Sequence, residues 1–135
     1  MKEEDTAMNA ISDRILIVED EESLRKALVT KLSAEGFRTL ESANGEEGLR
    51  VALDQKPDLI LLDILMPKMH GLEMLSQLRH NDWGANIPVI VLSNLNEASK
   101  VAEAAEGGVF DYIIKSDWRI SDVVDKVRDR LKEAV

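Results

Sequence analysis

The sequence predicts an α/β domain in which helices cover both faces of a five-stranded parallel sheet. Strand-like and helix-like segments alternate along the chain with short connections, which is typical of a doubly wound parallel sheet. The chain has 135 residues, of which 44% are hydrophobic, enough for one core that buries about two-thirds of the unfolded surface. No repeat or linker interrupts the alternation, so we expect one domain at residues 14–135 after a flexible polar tail at 1–13.

The first three elements are a strand, a helix and a second strand. Arg14–Glu19 is predicted as a strand because its apolar run is long enough to be buried on both faces of a sheet. Ser23–Ala34 has apolar residues at helical spacing and is closed by Gly36, which predicts an amphipathic helix. Phe37–Ser42 alternates in polarity, which predicts a strand near an edge of the sheet.

The next elements are bounded by capping and stopping residues. Asn44 can cap a helix over Glu46–Gln55, and Pro57 stops that helix. Asp58–Asp63 follows as the third and most apolar strand. A further helix is predicted over Gly71–His80.

The second half of the chain continues the same alternation. Ile87–Leu92 is predicted as the fourth strand, Glu97–Glu106 as a helix and Val109–Ile114 as the fifth strand. The last helix is predicted over Ser121–Val135, where valine and leucine recur on one face at helical spacing.

Polar residues stand at the ends of four predicted strands. Glu19 and Asp20 end the first strand, Asp63 the third, Ser93 the fourth and Lys115 the fifth. Parallel strands share one C-terminal edge, where open α/β sheets place their ligand sites. Three carboxylates gathered there would repel one another without a cation, and hard oxygen ligands suit Mg²⁺, or Mn²⁺ in its place. The sequence therefore predicts a divalent cation at this edge, and the nearby hydroxyl and lysine could share with it the charge of a phosphoryl group.

Composition and charge exclude several other classes of function. The net charge of −9 argues against direct binding of nucleic acid, which needs clustered lysine and arginine. The apolar runs are too short to span a bilayer, and the first residues lack the basic start and apolar stretch of a signal peptide. The absence of cysteine excludes disulfides and thiolate metal sites and fits a reducing compartment. We therefore expect a cytoplasmic protein without membrane contact.

A set of short motifs occurs at these strand ends. They are Glu19-Asp20, Asp63 with Met66-Pro67 and Gly71, Ser93 after an apolar strand, and Asp111-Tyr112-Ile113-Ile114-Lys115. In this order and register they resemble the receiver domain of two-component response regulators, from about Arg14 to the C-terminus. The resemblance implies a flavodoxin-like fold with strand order 2-1-3-4-5.

The same resemblance implies a role for each polar residue at the site. Asp63 is the implied phosphoacceptor, and Glu19, Asp20 and Asp63 would hold Mg²⁺ together with the backbone carbonyl of Leu65. The implied chemistry is acceptance of a phosphoryl group, assisted by the domain itself, and not turnover by an enzyme.

Two residues are implied as a switch, and two as contacts of the phosphoryl group. Ser93 and Lys115 would contact the phosphoryl oxygens. Ser93 and Tyr112 would change their positions on activation, as two arrangements that exist before the signal arrives.

The chain departs from the usual receiver pattern at four positions. Glu19 replaces the more frequent Asp and lengthens one arm of the metal site. His70 stands where Asp would cap the following helix. Asn94 is bulkier than the usual small residue, and Lys115 is followed by Ser116 where the family has a cis proline bond. A cis bond before a residue other than proline costs about 2.5–4 kcal/mol, so we expect a rearranged loop or a strained one.

Three alternative functions were weighed against a phosphoryl-accepting receiver. An Mg²⁺-dependent aspartyl-phosphate phosphohydrolase would have a second Asp two residues after the nucleophile, where this chain has Leu65. A nucleotide-binding protein would need a phosphate-cradling loop after the first strand, and the acidic run there would repel phosphate. A degenerate receiver that serves only as an interaction scaffold remains an alternative because of Asn94 and Ser116.

The expected partners are a phosphoryl donor and a downstream target. The donor would be a sensor histidine kinase or a phosphotransfer protein. No effector domain follows Val135 in this sequence, so we expect output through another protein or through a homodimer. The expected dimer face comprises the predicted helix at 97–106, the fifth strand and the last helix. Charged residues on it can pair across a two-fold axis: Lys100, Asp111, Lys126, Arg128 and Arg130.

Overall fold

The structure, a computed structural model, contains the predicted five-stranded parallel sheet. It describes residues 13–64, 66, 68–93, 111–114 and 119–133. The predicted tail at 1–13 therefore lies outside the described residues except for Asp13, as does the predicted helix at 97–106. The strands are β1 (Arg14–Val18), β2 (Arg38–Ser42), β3 (Leu59–Asp63), β4 (Val89–Ser93) and β5 (Asp111–Ile114).

The strand order is β2-β1-β3-β4-β5, and every neighbouring pair is parallel. This order confirms the fold class, and it places β2 at an edge as its alternating polarity predicts. The chain order reverses direction at β1, so a crevice opens between the C-terminal ends of β1 and β3. Val18 of β1 lies opposite Leu62 of β3 in the sheet register, one residue before the end of that strand.

Helices cover the sheet between these strands. Their bounds agree with the predictions to within one or two residues, and an additional 3₁₀ helix at Trp83–Ala85 was not predicted. None of the helices in the described ranges has both the length and the apolar composition needed to cross a membrane. The α-helices are α1 (Glu22–Ala34), α2 (Gly45–Gln55), α3 (Gly71–Arg79) and the last helix (Ile120–Glu133).

The core consists of two layers, one on each face of the sheet. Side chains alternate along β1 and β3, so each strand contributes to both layers, and all five residues of β3 are buried. Such continuous apolar strands are typical of a parallel sheet covered on both faces. One layer includes Leu16, Val18, Ile60, Leu62, Val91, Ala52, Met74 and Leu78. The other includes Ile15, Ile17, Leu61, Leu92, Leu28, Leu32, Val123 and Val127.

The helix ends follow the capping rules at one position and depart from them at another. The side chain of Asn44 accepts a hydrogen bond of 2.8 Å from the amide of Glu47, so the predicted cap of α2 is confirmed. His70 makes no side-chain capping bond at the start of α3, as expected for the residue that replaces Asp there. At the other end of α2, Arg14 donates to the carbonyl oxygens of Gln55 and Lys56.

The 3₁₀ helix precedes β4 and is connected to α3 by Arg79. Arg79 donates to the carbonyl oxygens of Gly84 at 2.7 Å and Ile87 at 2.9 Å, and these bonds hold the connection against the end of α3. Burial lowers the pKa of the Arg79 guanidinium from its ordinary value. The strand begins at Val89, two residues later than its apolar run predicts and directly after Pro88, which has no N–H to donate to a neighbouring strand.

Candidate functional site

Three carboxylates meet where β1 and β3 end. Oxygen atoms of Glu19, Asp20 and Asp63 all lie within 4.8 Å of one another. Glu19 and Asp20 directly follow β1, and Asp63 is the last residue of β3. Because β1 and β3 are neighbours in register, the sheet brings these side chains together although 42 residues lie between Asp20 and Asp63 in the sequence. This is the cluster predicted from the strand ends.

The three acids differ in their exposure to solvent. Glu19 is 0% exposed and Asp63 is 4% exposed, whereas Asp20 is exposed. One carboxylate oxygen of Glu19 accepts a hydrogen bond of 3.1 Å from the amide of Glu21. Buried carboxylates are costly unless they are paired, hydrogen-bonded or bound to a cation. Two buried acids beside one exposed acid therefore form a site that a cation can enter from the solvent side.

The donor set fits a small divalent cation. All three side chains offer oxygen, the ligand that Mg²⁺ and Mn²⁺ prefer, and no thiolate or imidazole is among them. Mg²⁺ keeps several of its waters and takes only a few protein oxygens. Three acids at one edge meet that requirement, with Asp20 on the solvent side.

The loop after β3 folds back tightly onto the end of that strand. The amide of Gly71 donates to the carbonyl oxygen of Ile64 at 2.8 Å. A Cβ atom at position 71 would lie 2.2 Å from the carbonyl oxygen of Asp63 and 2.8 Å from the Cα of Ile64. Only glycine fits this approach without moving the backbone that carries Asp63.

A second glycine brings a neighbouring loop against the same segment. A Cβ atom at Gly45, the first residue of α2, would lie 2.1 Å from the carbonyl oxygen of Met69. The start of α2 and the loop before α3 are therefore in direct backbone contact. Gly71 belongs to the family pattern seen in the sequence, but its close packing on Asp63 and that of Gly45 on Met69 were not predicted.

Arg25 of α1 contacts the segment that carries the first two acids. Its guanidinium donates to the carbonyl oxygen of Glu19 at 2.9 Å and to the side chain of Glu41 at 3.0 Å. The side chain of Arg25 is only 13% exposed. Lys26 also contacts Glu41, at 3.1 Å. Burial raises the pKa of Glu41, but hydrogen bonds from Lys26 and Arg25 outweigh that effect and hold the pKa below its ordinary value.

The remaining predicted site residues are placed only in part. Of Ser93 and Tyr112 the structure describes the backbone. Ser93 ends β4, one residue beyond the register partner of Asp63, and Tyr112 lies in β5 opposite Val91. Lys115 and Leu65 lie outside the described residues, as do Asn94 and Ser116 among the departures from the pattern.

Arg128, a charged residue of the expected dimer face, has a partner in its own chain. Arg128 donates to Glu35 at 2.5 Å and lies over the ring of Phe37, with 5.9 Å between the guanidinium carbon and the ring centroid. The predicted pairing of Arg128 across a two-fold axis would compete with this internal contact or share the guanidinium with it. Lys100 lies outside the described residues.

Comparison with known proteins gives consistent results. A family model for the response regulator receiver domain matches residues 15–128. The transcriptional regulatory protein AfsQ1 of Streptomyces coelicolor is 36% identical over 101 residues, which cover 75% of this chain and 44% of AfsQ1. The regulatory protein AtoC of Escherichia coli is 40% identical over 108 residues, which cover 80% of this chain and 23% of AtoC. The chain thus spans less than half the length of these curated relatives.

A solved structure shows the same fold. The receiver domain of a signal transduction histidine kinase from Syntrophus aciditrophicus is 33% identical and superposes with a TM-score of 0.81. The match covers 91% of this chain and 92% of that domain. The likeness therefore extends over nearly the whole of both chains.

Proposed function

Because the chain belongs to the response regulator receiver domain family, a family of phosphoacceptors in two-component signalling, we propose that Asp63 is its phosphorylated residue. The observation that carries this proposal is the convergence of Glu19, Asp20 and Asp63 within 4.8 Å at the crevice between β1 and β3. In this proposal Asp63 is the acid that ends the central, fully buried strand, and the other two hold the cation.

The proposed reaction is a phosphoryl transfer from phosphohistidine. A carboxylate oxygen of Asp63 forms a bond to phosphorus while the bond between phosphorus and the histidine nitrogen breaks, and the released imidazole retains that electron pair. Asp63 becomes an acyl phosphate, whose phosphoryl oxygens carry about −2 of charge at neutral pH in place of the −1 of the free carboxylate. A bound Mg²⁺ would neutralise part of this charge.

The protein contributes positioning to this transfer. Burial of Asp63 confines its side chain, and the close approach of Gly71 fixes the backbone that carries it at the end of β3. Such preorganisation lowers the barrier by removing the need to orient the groups during reaction. We assign Ser93 and Lys115 to the phosphoryl oxygens, the carbonyl of Leu65 to the cation, and Tyr112 to the switch, on the family resemblance.

The proposed partners follow from the chemistry of the donor and the product. A histidine kinase or a phosphotransfer protein would supply the phosphoryl group in the cytoplasm. The phosphorylated chain would then bind a downstream protein or a second copy of itself. Receiver domains are in general not turnover enzymes, and we propose that this one only assists its own phosphorylation and dephosphorylation.

Chemical phosphorylation tests the assignment of Asp63. Treatment with acetyl phosphate and Mg²⁺ should add one phosphoryl group, detected by intact-protein mass spectrometry, and EDTA should prevent it. Asp63→Asn should abolish the addition, and Asp20→Asn should weaken metal binding. Asp54→Asn is the matched control, since Asp54 is an exposed acid on α2 outside the cluster, and it should be labelled like the parent.

Other outcomes would favour the alternative functions. Full labelling of Asp63→Asn, or labelling that EDTA does not diminish, would contradict the assignment. A parent chain that resists labelling but still binds a partner would be a scaffold. Sustained release of phosphate from added phosphate esters would indicate a phosphohydrolase.

A further inference from the structure

The main chain of Glu19 is held on both sides although β1 has already ended. Its amide donates to the carbonyl oxygen of Ser42 at 3.0 Å, and its carbonyl oxygen accepts from Arg25 at 2.9 Å. The first bond extends the pairing of β1 with β2 by one residue. The second comes from a helix on one face of the sheet. Together they fix both peptide groups of Glu19, including the one that leads into Asp20.

Arg25 is itself held in one orientation. Its Nε donates to Glu41 at 3.0 Å while one terminal nitrogen donates to the Glu19 carbonyl. A guanidinium can make both bonds at once because its donors form a rigid planar fork, which the single ammonium nitrogen of lysine cannot reproduce. Glu41 in turn lies on β2, so the contact connects α1, β2 and the segment after β1.

We propose that Arg25 is a positioning residue for the divalent cation, which it serves by anchoring the peptide that joins Glu19 to Asp20. This inference rests on the proposed function, in which these acids hold Mg²⁺. Asp20 is exposed, so its placement depends on the backbone that carries it more than on surrounding side chains. Residues that orient metal ligands typically change metal affinity about 10- to 100-fold when they are replaced.

The charge of Arg25 acts in the opposite direction, which makes the test decisive. A guanidinium beside the cluster repels a divalent cation, so loss of its charge alone would tighten Mg²⁺ binding. Loss of the hydrogen bond from Arg25 to the Glu19 carbonyl would instead weaken Mg²⁺ binding. Lys26 is a matched control because it carries the same charge and contacts Glu41, and no contact between its side chain and the segment after β1 is found in the described structure.

The experiment is a calorimetric titration of MgCl₂ into the parent and four variants, at a temperature where circular dichroism shows each one folded. Arg25→Gln should weaken Mg²⁺ binding about tenfold, and Arg25→Lys should recover only part of it. Glu41→Gln should weaken binding to a smaller extent. Lys26→Gln should bind as tightly as the parent or more tightly. Without metal, NMR order parameters of the Asp20 and Glu21 amides should fall in Arg25→Gln but not in Lys26→Gln.

The outcomes separate this inference from the function on which it rests. Equal or tighter Mg²⁺ binding by Arg25→Gln, with normal binding by the parent, would overturn the positioning role alone. A parent that binds no Mg²⁺ would overturn both. If Arg25→Gln does not fold, Arg25→Lys and Glu41→Gln decide the matter, since parent-like affinity in both would contradict the anchor.

Discussion

At the scale of single residues, two neighbours of the acidic cluster, Gly71 and Arg25, constrain the backbone that carries its carboxylates. Gly71 has no Cβ, and this absence lets the loop before α3 pack on the carbonyl group of Asp63. Arg25 provides donors to a carbonyl that the end of β1 would otherwise leave outside the sheet. Neither residue carries chemistry, but each restricts where a reacting or metal-binding carboxylate can lie.

Gly71→Ala should disturb both stability and phosphorylation. Its new methyl group would meet the Asp63 carbonyl oxygen at 2.2 Å, so the backbone must shift. We expect a loss of about 1–3 kcal/mol of stability in urea denaturation, the range for overpacking, and reduced labelling by acetyl phosphate. Glu73→Ala, an exposed change on the same helix, is the control. If Gly71→Ala matches that control in both measurements, the close approach is not a constraint.

Ser42→Ala should leave the protein as stable as the parent or stabilise it. The side chain is 2% exposed, and its hydroxyl makes no hydrogen bond to any residue that the structure describes. A buried hydroxyl without a partner costs about 1–3 kcal/mol, so its removal should gain up to about 1 kcal/mol after the loss of packing. Thr39→Val, on the opposite and partly exposed face of the same strand, is the comparison. A clear destabilisation by Ser42→Ala would show that the hydroxyl is hydrogen-bonded in solution.

At the scale of elements, single arginines connect segments that the sheet does not join. Arg128 ties the last helix to the turn after α1 through Glu35 and Phe37. Arg79 ties the 3₁₀ helix and the start of β4 to α3. The first contact predicts how stability depends on pH, and the second predicts the effect of a substitution on the free energy of unfolding.

The contact between Glu35 and Arg128 should make stability fall in acid. Hydrogen bonds from Arg128 and then Lys31 hold the pKa of Glu35 below its ordinary value of 4.5. The folded state therefore favours the ionised form, so this contribution is present above pH 4.5 and is lost as pH falls through the lower folded pKa. Glu35→Gln should lower the melting temperature at pH 7, and the difference from the parent should shrink in acid. The double variant with Arg128→Gln should be no worse than either single one if the two side chains act together.

Arg79→Gln should destabilise the connection into β4. The change removes the donors to the carbonyl oxygens of Gly84 and Ile87, and we expect a loss of about 1–3 kcal/mol in urea denaturation. Arg50→Gln is the control because the Arg50 side chain is 72% exposed, with Glu47 at 3.8 Å, so it should change stability by less than about 0.5 kcal/mol. Equal effects of the two substitutions would contradict a structural role for Arg79.

The sequence predicted the elements that have a long apolar run, a helical period or a recognisable capping residue. It missed a short turn that is held by single side-chain hydrogen bonds. The apolar run of β3 and the cap at Asn44 were sufficient to bound their elements. Trp83–Ala85 is three residues long, which is too short to show a period, and it is held by single side-chain bonds from Arg79 and Asn81. In the site, the acids were predictable since each directly follows an apolar strand. Arg25 was not, because a hydrogen bond to a carbonyl leaves no trace in the pattern of residue types.

At the scale of the whole molecule, function conflicts with stability at the acidic cluster. The chain carries a net charge of −9, and three of its acids lie within 4.8 Å at one sheet edge. Like charges at that distance repel by about 1 kcal/mol in water and by more where solvent is excluded. Without a cation, the folded protein therefore bears the repulsion among these three carboxylates, and a bound cation would relieve it.

Asp20→Asn should expose this conflict in one measurement. Without divalent cations the variant should be more stable than the parent by about 1 kcal/mol, because one repelling charge is gone and the exposed side chain loses little else. With Mg²⁺ at ten times its dissociation constant, the parent should gain about 1.4 kcal/mol by linkage, and the variant should gain much less. The order of stability should then reverse or become equal, as followed by thermal melting in EDTA and in MgCl₂, with NaCl of matched ionic strength as the control. An Asp20→Asn variant that is less stable in EDTA and equally stabilised by Mg²⁺ would mean that neither the repulsion nor the cation involves this carboxylate.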